Sequence, residues 1–372
     1  MMALKTVNLS IKKLLSKICI AGALVSCTSE NIVNNASIRL VDPRNICNLQ
    51  KDSSFVCDFS QVLSCSYMNI IQDSLLLLYD QPVLNKNSYF YKVYSLDDFS
   101  YLGECARQGR GPNEFIQPMI SGKLTEQRDN IECYIYDLAQ SKSFRYSLNQ
   151  QMFGIDVCQC ISDLPDMTFY SIPYLDSLQF IMNIDKKKFL CNVINERGEI
   201  IKTVDLYPDN LDAEKYISQL GNCVLINNKL GVVALMMLSL PQVNYISLET
   251  GAVHSSAVNS KYKKWKDIVE IQNPDKLMSI PQYYNDATSS DDYIMGVYLD
   301  RSINDMISGK EIKPHIHIFD WQGNFLYDLI VPDHVSNIEY DAESGFLYGL
   351  DVSEGQIYRY DLSDKLQVNK RN

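Results

Sequence analysis

Along most of this chain, apolar and aromatic residues gather in runs of about six, separated by tight polar stretches, and long amphipathic helical patterns are scarce. One unit recurs: a β-branched or aromatic run, a short polar turn, and a second such run. It stands as "YKVYSLDDFSYLGE" around Leu96, "SFRYSLNQQMFGIDV" around Leu148 and "NVINERGEIIKTVDL" around Arg197. It returns as "NYISLETGAVHSSAV" around Glu249, "IHIFDWQGNFLYDLIV" around Gln322 and "QIYRYDLSDKLQV" around Leu362. Successive centres are 52, 49, 52, 73 and 40 residues apart. Four strands of about six residues with their turns fill roughly 40–50 residues, so each unit predicts one propeller blade. Six units predict an all-β, six-bladed β-propeller with four-stranded antiparallel blades.

The turns support this phasing. Gly198, Gly251 and Gly323 fall where a hairpin needs positive φ, and the remaining turns use Asp and Asn, which tolerate it. A further strand precedes each unit: "SLLLLYD", "IECYIYDL", "SLQFIMNI", "KLGVVALMML", "YIMGVYLD" and "GFLYGLDV". "LGVVALMML" is apolar on both faces, as a strand sandwiched between blades must be. After the sixth unit only the weak strand "KLQV" remains, while "SIRLV" (37–41) has no partner of its own. Because an open ring exposes strand edges, "SIRLV" is expected to complete the last blade. The long interval before the fifth unit predicts a helix over "KYKKWKDIVEIQNPDK" (261–276) and a long connection over 300–314. Both belong on one face, where Trp265 and Arg301 mark a candidate binding surface.

The N-terminus adds an address. Lys5, Lys12, Lys13 and Lys17 precede the short apolar run "ICIAGALV", and the run closes in "LVSC", ending at Cys27. A basic head, a short apolar core and small residues make a secretory signal, too short to span a bilayer. "LVSC" is similar to a bacterial lipobox, which predicts cleavage before Cys27 and lipidation of its sulfur. The expected organisation is a signal peptide over 1–26, a lipidated polar stalk over 27–36, and one propeller domain over 37–372. Losing the signal removes four lysines and no acid, taking 34 basic against 45 acidic residues to 30 against 45 and the net charge from −11 to −15. So acidic a chain has no electrostatic footprint for nucleic acid. Its membrane contact would be the lipid anchor.

Chemistry is sparse. Nine cysteines besides Cys19 and Cys27 include no CxxC pair and sit among apolar neighbours, as core thiols do, with one disulfide still open to an exported chain. Four histidines occur. His315 and His317 alternate on one face of a predicted third strand, away from the channel, so no metal site and no cofactor is expected. The best local motif is "RQGRGPNEF" (107–115), between the last strand of blade one and the first of blade two. No GK[ST] follows it, which excludes a phosphate loop. Pro112 fixes φ, the glycines permit reversal, Phe115 is expected to plug between two blades, and Glu114 to cap amides or pair with Arg107 or Arg110. Arg107, Gly109, Arg110, Gly111, Pro112, Glu114 and Phe115 thus form a candidate binding or blade-crossover motif.

With the lipobox, the six repeats and the pattern G-x-G-P-x-E-F at Gly109, Gly111, Pro112, Glu114 and Phe115, the chain resembles the six-bladed, TolB-like propeller lipoproteins of Bacteroidetes. The resemblance implies the fold and a cell-envelope, outer-membrane location, and transfers no catalytic residue. Two functions follow. The first is a monomeric, lipid-anchored module that binds or scaffolds a protein, peptide or glycan. The second is a propeller hydrolase or lyase with a carboxylate-bound metal in the central channel, where Asp166, Asp286 and Glu339 stand near blade starts. Three or more convergent carboxylates or histidines would favour the enzyme. A Ser, Asn, Tyr and apolar lining would favour binding.

Overall fold

The computed structural model of the chain describes residues 32–33, 36–55, 57, 59, 62, 64–81, 88–123, 131–148, 157–175, 177–208, 211–216, 220–261, 278–309 and 313–366. Two short strands come first, β1 (Ser37–Val41) and β2 (Ile46–Asn48). Blade one is β3 (Cys65–Ile71), β4 (Leu75–Asp80), β5 (Tyr89–Ser95) and β6 (Tyr101–Arg107). Blade two is β7 (Pro118–Lys123), β8 (Ile131–Asp137), β9 (Lys142–Leu148) and β10 (Val157–Asp163). Blade three is β11 (Thr168–Tyr174), β12 (Leu178–Asp185), β13 (Lys188–Asn195) and β14 (Ile200–Val204). Blade four is β15 (Asn222–Asn227), β16 (Val232–Met237), β17 (Gln242–Ser247) and β18 (Val253–Val258). Blade five is β19 (Pro281–Ser289), β20 (Tyr293–Ser302), β21 (His315–Asp320) and β22 (Phe325–Ile330). Blade six holds β23 (Asn337–Asp341), β24 (Phe346–Asp351) and β25 (Gln356–Asp361).

Within every blade, consecutive strands pair antiparallel. The first strands meet around the axis: β7 touches β11, then β15, β19 and β23 follow in turn, and β23 touches β3. The ring is therefore six-bladed, with the predicted turns joining third and fourth strands in blades one, three, four and five; the turn expected after Leu148 in blade two lies outside the described residues. Gly198, Gly251 and Gly323 sit in those turns with φ of 74, 76 and 79°. Among the described residues two short α-helices interrupt the pattern, α1 (Ala213–Tyr216) and α2 (Ile303–Ile307). No helix among the described residues is long and apolar enough to cross a membrane.

The core lies between blades rather than in one centre. Met236 and Tyr245 of blade four pack against Tyr284, Tyr298, Phe319 and Phe325 of blade five. Phe115 joins Val93 and Cys105 of blade one to Ile135, Phe144 and Tyr146 of blade two. β16 is buried on both faces over Val233–Met237, because neighbouring sheets cover both sides. Each such side chain taken fully from water contributes about 1.5–3 kcal/mol. Cys65, Cys105, Cys133 and Cys191 are buried, Cys47, Cys57, Cys158 and Cys223 are half-buried, and Cys160 is exposed.

Closure differs from the sequence expectation. "SIRLV", as β1, does not complete blade six; it runs parallel to β18 as a fifth strand on blade four, Ser37 opposite His254. β2 likewise runs parallel to β22 on blade five. The outer edge of blade six is met by Lys51, which bridges Tyr360 antiparallel, and by the Asp52 amide donating to the Arg359 carbonyl at 2.9 Å. The N-terminal segment thus follows the outer rim across three blades before entering the ring at β3. The physical reason is that "SIRLV" carries no turn that would fix an antiparallel register, so an unpaired edge of either sense can take it. The stalk also ends earlier than expected: Ile32 and Val33, within the 27–36 stretch, are buried in the cluster between blades three and four. Two adjacent apolar side chains lose water there and belong to the fold.

Candidate functional site

Meander topology sorts the connections. Turns joining first to second and third to fourth strands share one face; the other face carries second-to-third turns and blade crossovers. "RQGRGPNEF", α2 and the loop over 331–336 all lie on this second, loop face.

The crossover motif is tied at every level. The Gly109 amide donates to the Phe115 carbonyl at 2.9 Å and the Phe115 amide to the Arg107 carbonyl at 2.8 Å. Phe115 is fully buried, with edge-on contacts to Phe144 and Tyr146 at 5.2 and 5.9 Å. Glu114 folds back: its Oε2 accepts the Gly111 amide at 2.8 Å, while Oε1 lies 3.7 Å from Arg107 Nε. This carboxylate explains the glycines. A Cβ on Gly109 would collide with it, and one on Gly111 would stand 2.9 Å from Oε2. Neither glycine has positive φ; the left-handed residue in the loop is Asn113, at 63°. The sequence expectation of glycines for reversal is therefore replaced by glycines for close approach. Pro112 is exposed, as are Arg107 and Arg110, and Arg110 has no ion-pair partner among the described residues.

Asp137 was missed from sequence and holds the loop from below. Fully buried, it accepts the Ile116 amide at 2.7 Å, the Gln117 amide at 3.3 Å and the Gln140 amide at 3.0 Å. Gln140 in turn donates to the Glu114 carbonyl at 3.1 Å. The signal was present: Asp ends the second strand in "LLLLYD", "IECYIYD" and "FLYGLD" alike. Asp80 takes the Ser64 amide in the same way at 2.9 Å.

In the channel, Asp286 and Glu339 come together and Asp166 does not; the last is exposed in the loop before β11. Asp286 Oδ2 accepts the Ile338 amide at 2.7 Å and Asn337 Nδ2 at 2.6 Å. Glu339 accepts Thr288 Oγ1 at 3.1 Å and Asn69 Nδ2 at 3.3 Å, and Asn337 accepts the Met68 amide at 2.9 Å. These bonds lace blades five, six and one. Burial, with the Glu339 charge adding to it, pushes the Asp286 carboxyl up to about 8, against the pull of its amide donors. Tyr170 donates nearby to the Val224 carbonyl at 3.0 Å.

Farther out on the loop face, Arg301 Nη2 lies 3.2 Å from His334 Nε2, and His334 Nδ1 lies 3.5 Å from Asp351 Oδ1. Arg301 Nε is buried without a hydrogen-bond partner. The following residue caps α2: Ser302 Oγ accepts the Asp305 amide and Asp305 Oδ2 the Ser302 amide, at 3.2 and 3.0 Å. A cleft of 290 Å³ opens between blades six and one, lined by Phe59, Cys65, Leu78, Leu350 and the 352–355 turn. Trp265 and Cys27 lie outside the described residues, as does all of the helix expected over 261–276 beyond Lys261, which ends a 3-10 turn (Asn259–Lys261). The cleft's lining sets Ser64, Ser353 and the acid Glu354 among apolar side chains, while the exposed arginines and the Arg301–His334–Asp351 line stand elsewhere on the loop face.

The sequence profile of the family described as "TolB-like 6-blade propeller-like" matches residues 50–342. No curated protein matches the chain. Among solved structures, a member of the DUF4221 family from Bacteroides vulgatus is similar with a TM-score of 0.53 at 13% identity, covering 89% of this chain and 98% of that one. A protein named for its expected export, from Bacteroides fragilis, gives 0.49 at 13% identity, covering 84% and 87%. The WD40 domain of Neurospora crassa Pan2 gives 0.38 at 11%, covering 87% and 86%. At such identity the likeness concerns the fold alone.

Proposed function

Because the chain belongs to the TolB-like six-bladed propeller family, we propose that it is a lipid-anchored module of the cell envelope that binds or scaffolds a protein, peptide or glycan through its loop face. The observation that carries this reading is how the channel's acids are used. Asp286 and Glu339 accept hydrogen bonds from Asn337, Ile338, Thr288 and Asn69, and so serve the seam between blades. The hydrolase or lyase alternative required three convergent donors; the described channel residues provide two carboxylates, both engaged. The loop face is different. Arg107 and Arg110 are exposed there, and Arg301, His334 and Asp351 form a polar line. Arginine and aromatic groups at a concave rim favour acidic or hydroxyl-bearing partners. The basic head, short apolar run and "LVSC" support export and anchoring at Cys27.

The test is capture of envelope partners by the anchored chain, with a palmitate analogue reporting the lipid. Label should enter the wild type and not Cys27→Ala. Partners should be lost from a variant carrying Arg107→Ala, Arg110→Ala and Arg301→Ala. An unchanged partner set would remove the loop face from the account.

A further inference from the structure

Blade five holds a cluster that the channel and the loop face do not use. In the β21–β22 hairpin His317 lies directly across from Asp328, and His315 sits diagonally from it. Alternation along β21 puts both imidazoles on the side facing blade four. His315 Nδ1 is 2.7 Å from Asp328 Oδ1, His317 Nε2 is 3.8 Å from the same oxygen, and one donor atom from each residue falls within 4.8 Å of the others. Two donors on a tetrahedral ion with bonds near 2.0–2.1 Å are roughly 3.4 Å apart, so the observed spacings bracket what an ion needs.

We propose that His315, His317 and Asp328 bind a divalent transition-metal ion of the zinc class. The surroundings are those of a built site. Tyr284, fully buried, places its hydroxyl 3.1 Å from His317 Nδ1. With Nδ1–H donating to that phenol, the Nε2 lone pair is turned toward Asp328, the second-shell arrangement that orients metal-ligating histidines. Tyr298 stacks on His317 at 4.0 Å, and its hydroxyl is buried with no hydrogen-bond partner, within electrostatic reach of Asp328. A ligated water would supply the partner that the Tyr298 hydroxyl lacks. The His315 side chain is 34% exposed, which gives an ion a way in and leaves a fourth coordination position toward solvent. Three protein donors with one open position match zinc-type sites better than calcium, which takes six or more oxygens. Bound there, the ion would join β21 to β22 beside the point where the Arg44 carbonyl accepts the Asp328 amide.

The experiment uses the chain without a polyhistidine tag, stripped with a chelator and titrated with Zn²⁺ and with Co²⁺. The wild type should take up one equivalent, show the visible absorption of tetrahedral Co²⁺, and melt at higher temperature with Zn²⁺. His315→Ala, at a partly exposed position, and Asp328→Asn should each weaken binding by at least about tenfold, and Tyr284→Phe by about tenfold. His254→Ala and His334→Ala should bind as the wild type does. Circular dichroism separates lost binding from lost folding. The proposal fails if the stripped wild type takes up neither ion, or if folded His315→Ala and Asp328→Asn titrate like it.

Discussion

At the scale of single residues, Glu114 decides why two glycines stand in "RQGRGPNEF". Gly109 has an ordinary backbone conformation, so alanine there meets one obstacle, the Glu114 carboxylate. That side chain can swing out, losing its bond to the Gly111 amide and its approach to Arg107. Gly109→Ala should therefore destabilise by about 1 kcal/mol, the usual net worth of such a bond. In a Glu114→Ala background the same change should cost almost nothing, a coupling visible in a double-mutant cycle by urea unfolding. Equal penalties in both backgrounds would mean the glycines serve the backbone instead. The motif and its place between blades were legible in the sequence. The reason for its glycines was not, because it depends on where a side chain three to five residues on folds back. Asp137 was hidden for a related cause: its partners Ile116 and Gln117 lie about twenty positions upstream.

Among the elements, the strands of each hairpin could be read because alternation and turn chemistry are local. In the β21–β22 hairpin, however, a register shift between Ile318 and Phe319 is what sets His317 opposite Asp328, so the histidine cluster could not be read by counting outward from the turn. The closing segment was not readable. β1 and β2 pair parallel with edges more than 200 residues away, and no turn announces such a register. At the seam itself, Arg359 Nη2 and Nε lie 2.6 and 3.0 Å from Asp52 Oδ2, and its guanidinium covers Phe346 at 4.4 Å and Phe55 at 4.9 Å. Arg359→Ala should thus lower the melting temperature by several degrees in calorimetry, through lost ion pair and cation–π contact together. Deleting residues 28–42, by contrast, should leave a single cooperative transition at reduced temperature. Loss of cooperative melting in that deletion would return ring closure to β1.

For the whole molecule, the seam of blades five, six and one depends on pH through Asp286. Its carboxyl is raised from 3.8 to about 8, so the folded protein keeps a proton that the unfolded chain releases near pH 4. The stability tied to that proton is complete below about pH 4 and is lost as pH rises through about 8. Asp286→Asn keeps an oxygen for the Ile338 and Asn337 donors and cannot ionise. Melting temperature against pH should then fall less between pH 5 and 8 in the variant than in the wild type. Parallel curves would show that Asp286 is ionised in the folded state. Blade count and order followed from repeat spacing alone, yet which first-strand residues face inward did not. β19 shifts register on both sides of Tyr284, and each bulge reverses the expected alternation.

Under the proposed lipidation of Cys27, the buried pair Ile32 and Val33 would set the length of the leash. With a lipid on Cys27, only four residues separate the anchored cysteine from Ile32, a reach of at most roughly 18 Å even when fully extended. The propeller would ride close to the bilayer surface, at a height fixed by its own rim, and partners would have to come to it rather than be fished for by a swinging domain.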